Sequence, residues 1–319
     1  MKIRELLEGG HVFAGKTGPI KKEHIGPTLE RYFAELQRLF PRKSSILNLQ
    51  HFITLGSVGK KAVSGDIDLG ISSKDLLDEM SDKAIASWGL DPRAVETEFL
   101  GLKKRARTAT DPQLRMKAFL KVLTRFINDH SEILLYSVEK VTTGNIFGVF
   151  PQFDEKGQEL GIGVQIDWMI GNLDWLRFSY YSSAYPQGSN VSGLHRTQLM
   201  LAAFQVAGLS FNHLDGVKDK ATGKVIAQNP KSALDILGKR LGFKISLEDS
   251  QDYYRLHNLL KSRMRPEDYA TLIDVYLKIL DSTRADIPEN LQGEWKKRRN
   301  RLGLTGKFLP TESNLRKAI

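Results

Sequence analysis

Three aspartates and one short loop carry the residue types in this chain that point most directly to chemistry. Asp66 and Asp68 open the run Asp66-Ile67-Asp68-Leu69-Gly70-Ile71, and Asp167 lies inside Gly163-Val164-Gln165-Ile166-Asp167-Trp168-Met169-Ile170. Side chains of a strand alternate between its two faces, so Asp66 and Asp68 project together while Ile67 and Leu69 face the other way. In the second run Val164, Ile166 and Trp168 alternate with Gln165 and Asp167. Were these strands neighbours, the three carboxylates would share one patch and repel one another unless cations neutralised them. Hard oxygen ligands suit Mg²⁺ or Mn²⁺. Two such ions, about 3.5–4 Å apart, activate an attacking hydroxyl and stabilise a leaving pyrophosphate.

The loop that precedes the first pair fits the same chemistry. Gly56-Ser57 follows an apolar run, and Lys60 and Lys61 come shortly after. Glycine lets backbone approach phosphate oxygens, and exposed N–H groups with a hydroxyl hold them. The loop leads into a strand and lacks the GxxxxGK[ST] spacing, which argues against a P-loop. No HExxH, GxSxG or GxGxxG is present, and the seven histidines show no ligand-like spacing.

Several elements must position these residues. Leu29, Tyr32, Phe33, Leu36, Leu39 and Phe40 recur at helical spacing, which predicts a helix from Pro27 to Pro41. Strands are predicted over 46–55 and 66–71, with Ser64-Gly65 as the turn between them. Residues 72–130 read as a charged helical insertion, with Met116, Phe119, Leu120, Leu123 and Ile127 on one face. Strands resume at 134–141, 146–150 and 162–170. Residues 194–208 read as a helix, a hairpin follows in which LSFNHLDGV and KVIAQ flank KDKATG, and helices dominate from Ser232.

Gly56-Ser57, eight intervening residues and Asp66-Ile67-Asp68 together resemble the signature of the DNA polymerase β-like nucleotidyltransferase superfamily. The specific part of the likeness spans 55–71 and the general part 45–170. It implies an α+β fold: a nucleotidyltransferase palm, a mixed β-sheet with flanking helices, plus a mainly helical C-terminal domain. The implied boundaries are an N-terminal extension 1–24, a catalytic domain 25–175 with the insertion at about 72–130, and a C-terminal domain 176–319. The resemblance also implies roles. Asp66 and Asp68 bridge two Mg²⁺ or Mn²⁺ ions, Asp167 completes the catalytic site, and Gly56, Ser57, Lys60 and Lys61 bind the triphosphate. Glu139 and Asp174 compete with Asp167 for the third position, which the apolar alternation favours for Asp167.

Composition bounds the partners. The chain has 319 residues, no cysteine and a formal charge of +10. Disulfides and thiolate zinc sites are therefore excluded. No stretch approaches the roughly 18 apolar residues of a membrane span, and the start, MKIRELLEGG, lacks a secretory segment. A cytoplasmic setting is expected. The charge suits a polyanion. Basic residues cluster at 103–125 and at Trp295-Lys296-Lys297-Arg298-Arg299-Asn300-Arg301, as either a nucleic-acid grip or a solvated helix face. His195-Arg196 either contact phosphate or simply open a helix. Tyr180, Tyr181 and Tyr185 either stack on a base or pack locally.

The expected activity is metal-dependent transfer of an NMP from an NTP to a hydroxyl, with release of pyrophosphate. The expected acceptor is an RNA or DNA 3′ end. A protein or small-molecule hydroxyl is the alternative acceptor, and a nucleotide-binding or structural protein without turnover is the alternative class.

Overall fold

A computed structural model of the chain describes residues 13, 15–77, 79–107, 109–185, 189–214 and 216–304. Most of the expected extension 1–24 and the last fifteen positions of the basic C-terminal stretch, 305–319, lie outside the described residues. The fold is α+β, and the chain divides into two compact units between Leu176 and Arg177.

The first unit contains, in order, β1 (Ile20–Lys21), α1 (Lys22–Leu39), β2 (Phe52–Thr54), β3 (Val63–Ser64), β4 (Ile67–Ser72) and α2 (Ser73–Leu76). It continues with α3 (Asp82–Ala86), α4 (Pro92–Lys103), α5 (Asp111–His130), β5 (Leu135–Tyr136), β6 (Asn145–Phe153) and β7 (Glu159–Gly171). A mixed five-stranded sheet has the order β2-β4-β7-β6-β5, in which only β4 and β7 run parallel. A separate two-stranded ladder joins β1 to β3.

Sequence pattern explains one face of the sheet. Ile67, Leu69 and Ile71 on β4 and Val164, Ile166 and Trp168 on β7 are buried in a single apolar core with α1. Phe52 sits 4.9 Å from Trp168 and 5.2 Å from Phe33, ring centre to ring centre. The insertion joins this core rather than standing apart from it. Trp88 meets Phe40 at 5.3 Å and Phe119 at 6.0 Å, and its Nε1 donates to Leu76 O at 3.0 Å.

The structure corrects several predicted boundaries. Helix α1 starts at Lys22, and Pro27 lies inside it; burial of Ile25 anchors the added turn. The strand predicted over 46–55 shrinks to Phe52–Thr54. Asn48 Oδ1 accepts from Gln50 N at 2.8 Å and Asn48 O from Phe52 N at 3.0 Å, so a side-chain turn displaces the extended backbone. The strand predicted over 134–141 shrinks to Leu135–Tyr136 for a related reason. Asn128 Nδ2 donates to Tyr136 O at 2.9 Å and Asn128 Oδ1 accepts from Tyr136 N at 2.7 Å.

Helix α6 (Leu173–Ser179) spans the division. The second unit contains α7 (Gly193–Val206), β8 (Leu209–Asn212), β9 (Gly216–Asp219), β10 (Val225–Ala227), α8 (Pro230–Leu241) and α9 (Leu247–Gln251). Three further helices follow: α10 (Tyr253–Arg263), α11 (Pro266–Ser282) and α12 (Gln292–Leu302). The predicted hairpin is a three-stranded antiparallel sheet, β10-β9-β8. Its extra strand arises because LSFNHLDGV turns back after Asn212, whose Oδ1 accepts from Leu214 N at 2.7 Å, so that β8 pairs with β9; Asp219 Oδ1 caps the next turn by accepting from Ala221 N and Thr222 N. The helices begin and end on conventional signals. Asn229 caps α8 ahead of Pro230, Gly242 ends it at φ +87°, and Asp252 caps α10. Among the described residues, no helix is long and apolar enough to cross a membrane.

One buried polar network ties the first unit together. Trp168 Nε1 donates to the Tyr32 hydroxyl at 2.5 Å, and that hydroxyl is hydrogen-bonded to the Tyr136 hydroxyl. All three side chains are inaccessible or nearly so. Tyr32→Phe keeps the ring and removes the shared oxygen, leaving two buried donors without an acceptor. We expect a loss of about 1–3 kcal/mol, read as a lower urea midpoint at unchanged slope.

Candidate metal centre

Strand pairing brings the aspartates together. β4 and β7 are parallel neighbours with Asp68 directly opposite Asp167, and Asp66 lies at the junction leading into β4. One carboxylate oxygen from each of Asp66, Asp68 and Asp167 lies within 4.8 Å of the others. Asp66 and Asp68 are half-buried, and Asp167 is inaccessible. Of the competing acids, Glu139 is exposed in a turn and Asp174 is exposed in the first turn of α6. Neither belongs to the cluster.

The electrostatics follow from that geometry. Burial, and then the charge of Asp66, push the Asp68 carboxyl well above the ordinary carboxylate range. Burial, Asp68 and Asp66 do the same to Asp167. Asp167 Oδ2 accepts a hydrogen bond from Gln165 Nε2 at 2.8 Å, which opposes the rise without cancelling it. Asp167 Oδ1 is buried with no hydrogen-bond partner among the described residues. Leaving a carboxylate oxygen dry and unpaired is costly. An all-oxygen donor set with an unsatisfied buried oxygen fits a hard divalent cation.

Residues 56–62 form the loop beside the acids. Gly56 has φ +61°, and a Cβ there would lie 3.2 Å from Asp68 Oδ2. Glycine is required on both counts, since other residues are strained at that φ and any side chain would crowd the carboxylate. Lys60 N donates to Ser57 O at 3.0 Å, closing a turn in which Gly59 takes φ +71°. Ser57 is half-buried, and Lys60 and Lys61 are exposed on the loop.

A strap made of residues 16–22 holds this loop. Gly18 N donates to Gly163 O at 2.9 Å and Gly163 N to Lys16 O at 3.2 Å, which fastens the strap to β7. Gln152 Nε2 donates to Gly18 O and to Gly163 O, each at 3.1 Å. The strap then becomes β1, where Ile20 pairs with Ser64, and Lys22 N donates to Ala62 O at 2.9 Å. The segment GKTGPIKK, residues 15–22, reads in sequence as a loop. The signal available in advance was the apolar Ile20 between glycine-proline and lysines; it is fully buried.

Other sequence candidates serve packing. His195 lies in the first turn of α7, where its Nδ1 accepts from Ser192 N at 3.0 Å and its Nε2 contacts Asp286 O at 2.9 Å. Arg196 is inaccessible; its Nε donates to Ser250 O at 2.5 Å and its Nη1 to Phe178 O at 2.6 Å. Burial lowers its guanidinium to about 10. Tyr185 accepts from Tyr253 N at 3.3 Å, and Tyr180 packs edge-on to His213 at 5.5 Å.

Part of each basic run is engaged with acids. In the insertion Lys103 pairs with Asp111, Arg115 with Glu96, and Lys121 and Arg125 with Glu98. In the second unit Arg298 bridges Glu294 and Asp274, at 2.8 and 2.6 Å, and Arg301 pairs with Asp274 at 2.7 Å. Trp295 is buried, with the Arg299 guanidinium over its ring.

No protein-family model and no curated protein matches the chain.

Like-charge repulsion in the cluster should be measurable as stability. In EDTA at neutral pH, Asp167→Asn removes one of three crowded charges and should stabilise the fold by roughly 1 kcal/mol. The check is the thermal midpoint of parent and variant side by side. A variant that melts below the parent would contradict the repulsion.

Proposed function

We propose that the chain is a metal-dependent nucleotidyltransferase that moves an NMP from an NTP to an acceptor hydroxyl and releases pyrophosphate. The observation that carries this reading is the convergence of Asp66, Asp68 and Asp167 within 4.8 Å, beside a glycine loop that abuts Asp68. On this reading the first unit, with its mixed five-stranded sheet, is a nucleotidyltransferase palm. Asp66, Asp68 and Asp167 would hold two Mg²⁺ or Mn²⁺ ions. When bound, such ions neutralise the phosphates and make the acceptor hydroxyl a better nucleophile.

The chain's own residues divide the remaining work. Gly56 and Ser57 offer backbone N–H groups and a hydroxyl to the β- and γ-phosphates, and Lys60 and Lys61 add positive charge at the loop. Asp68 and Asp167 face each other across β4 and β7, so one pair of strand positions sets their separation. Asp167, dry and with Oδ1 unengaged, would serve the acceptor side of the α-phosphorus. The hydroxyl oxygen bonds to that phosphorus and gives up its proton to solvent while the α–β phosphoanhydride bond breaks, and pyrophosphate carries the electron pair away.

A nucleic-acid 3′ end remains the first acceptor, from the net charge of +10. One observation favours a second acceptor class, a protein or small-molecule hydroxyl. Lys103, Arg115, Lys121 and Arg125 in the insertion, and Arg298 and Arg301 in the second unit, are held in ion pairs with Glu96, Glu98, Asp111, Asp274 and Glu294. Each such cation is less available to an external phosphate.

The deciding experiment incubates the protein with each α-³²P-labelled NTP and Mg²⁺ or Mn²⁺, in the presence of total RNA, oligo-DNA and cell lysate. We expect transfer that EDTA stops and added Mg²⁺ or Mn²⁺ restores. Asp66→Asn and Asp68→Asn should reduce it to background with the fold intact by circular dichroism. Label on nucleic acid assigns a 3′-end acceptor, and label on a polypeptide or small molecule assigns the second class. Triphosphate binding with no transfer to any acceptor would leave a nucleotide-binding protein without turnover and overturn the proposal.

A further inference from the structure

We propose that Gln165 is the positioning residue of the carboxylate cluster: it fixes the Asp167 carboxylate in one orientation and reserves Oδ1 for a divalent cation. The inference rests on the metal-dependent reading above and adds a residue to it. Gln165 lies two positions before Asp167 on β7, on the same face of the strand. It is inaccessible, and its Nε2 donates to Asp167 Oδ2 at 2.8 Å. A carboxylate that turns about its terminal bond exchanges its two oxygens. One buried hydrogen bond to Oδ2 removes that equivalence. Oδ1 is then left inaccessible and without a hydrogen bond among the described residues.

The type of side chain matters as much as its place. A neutral amide donates without bringing charge of its own. A lysine or arginine here would neutralise Asp167 and compete with the cation for it. A glutamate would add a fourth negative charge and lose the donor. Across the β6–β7 ladder Gln165 faces Val149 and Asp167 faces Phe147, both apolar. Groups that orient a ligating side chain usually govern metal affinity by about 10–100-fold.

The test uses Mn²⁺ alone, followed by electron paramagnetic resonance, on the full chain and on Gln165→Met, which keeps the length and removes the donor. We expect the affinity at the cluster to fall about tenfold or more. In transfer assays the Mg²⁺ concentration for half-maximal rate should rise, while KM for NTP at saturating Mg²⁺ stays at the parent value. A side chain that only packs would leave the Mg²⁺ dependence alone.

A second measurement needs no variant. Crystals of the parent soaked in Mn²⁺ should show an anomalous peak bound through Asp167 Oδ1, with Gln165 still on Oδ2. Coordination through Oδ2 with Gln165 displaced overturns the proposal, as does equal Mn²⁺ affinity in parent and Gln165→Met. A parent that binds no Mn²⁺ at the three aspartates overturns the metal reading itself, and the role of Gln165 with it.

Discussion

Mutual repulsion among three carboxylates is the constraint around which the first unit is organised. Asp66, Asp68 and Asp167 would separate if the backbone let them, and Asp167 would turn toward water. Neither movement is open. Asp68 and Asp167 are fixed opposite each other by the β4–β7 ladder. The side chain of Trp168, the next residue along β7, is pinned in the core by the Tyr32 hydroxyl. Slipping this strand by one residue would put Trp168 on the acidic face and Asp167 in the apolar core. The anchoring of the apolar face therefore holds the charged face in place. Stability given up at the cluster is offset by the aromatic packing of Phe33, Phe52, Phe150 and Trp168 on the other side of the same sheet.

Much of this was legible in the sequence, for a definite reason. Alternation over 163–170 and the Asp-x-Asp spacing are local signals, and strand geometry converts them directly into faces. Adjacency of the two strands is not local. It depends on β4 passing through an insertion of four helices before its partner β7 arrives, and nothing in the spacing of residues encodes that pairing. Boundaries failed where side chains replaced backbone partners: Asn48 ended the predicted strand 46–55, and Asn128 took the backbone of Tyr136. The strap at 16–22 went unread because two-residue strands leave almost no pattern.

Charge shows a different limit of sequence reading. A count of lysines and arginines records how many cations exist, not what they face. Glu98 receives both Lys121 and Arg125, and Asp274 receives both Arg298 and Arg301. Burial alone would raise the Glu98 carboxyl, but these hydrogen-bonded cations hold it below the usual range. Runs that look like polyanion grips are thus, in part, braces between α4 and α5 and between α11 and α12. The acids that complete them sit one helix away and are invisible to a sliding window.

The strap also imposes an order on biosynthesis. Its residues leave the ribosome well before those that hold them: Gln152, which holds Gly18, is 134 positions further on, and Gly163 follows later still. Until β6 and β7 have been made, the segment that braces the glycine loop has nothing to bind. The insertion helices, rich in local contacts, have every opportunity to form first. The loop beside the acids is consequently completed only once β7 has been made. For that interval the nascent chain displays Asp66 and Asp68 without the strand that carries Asp167.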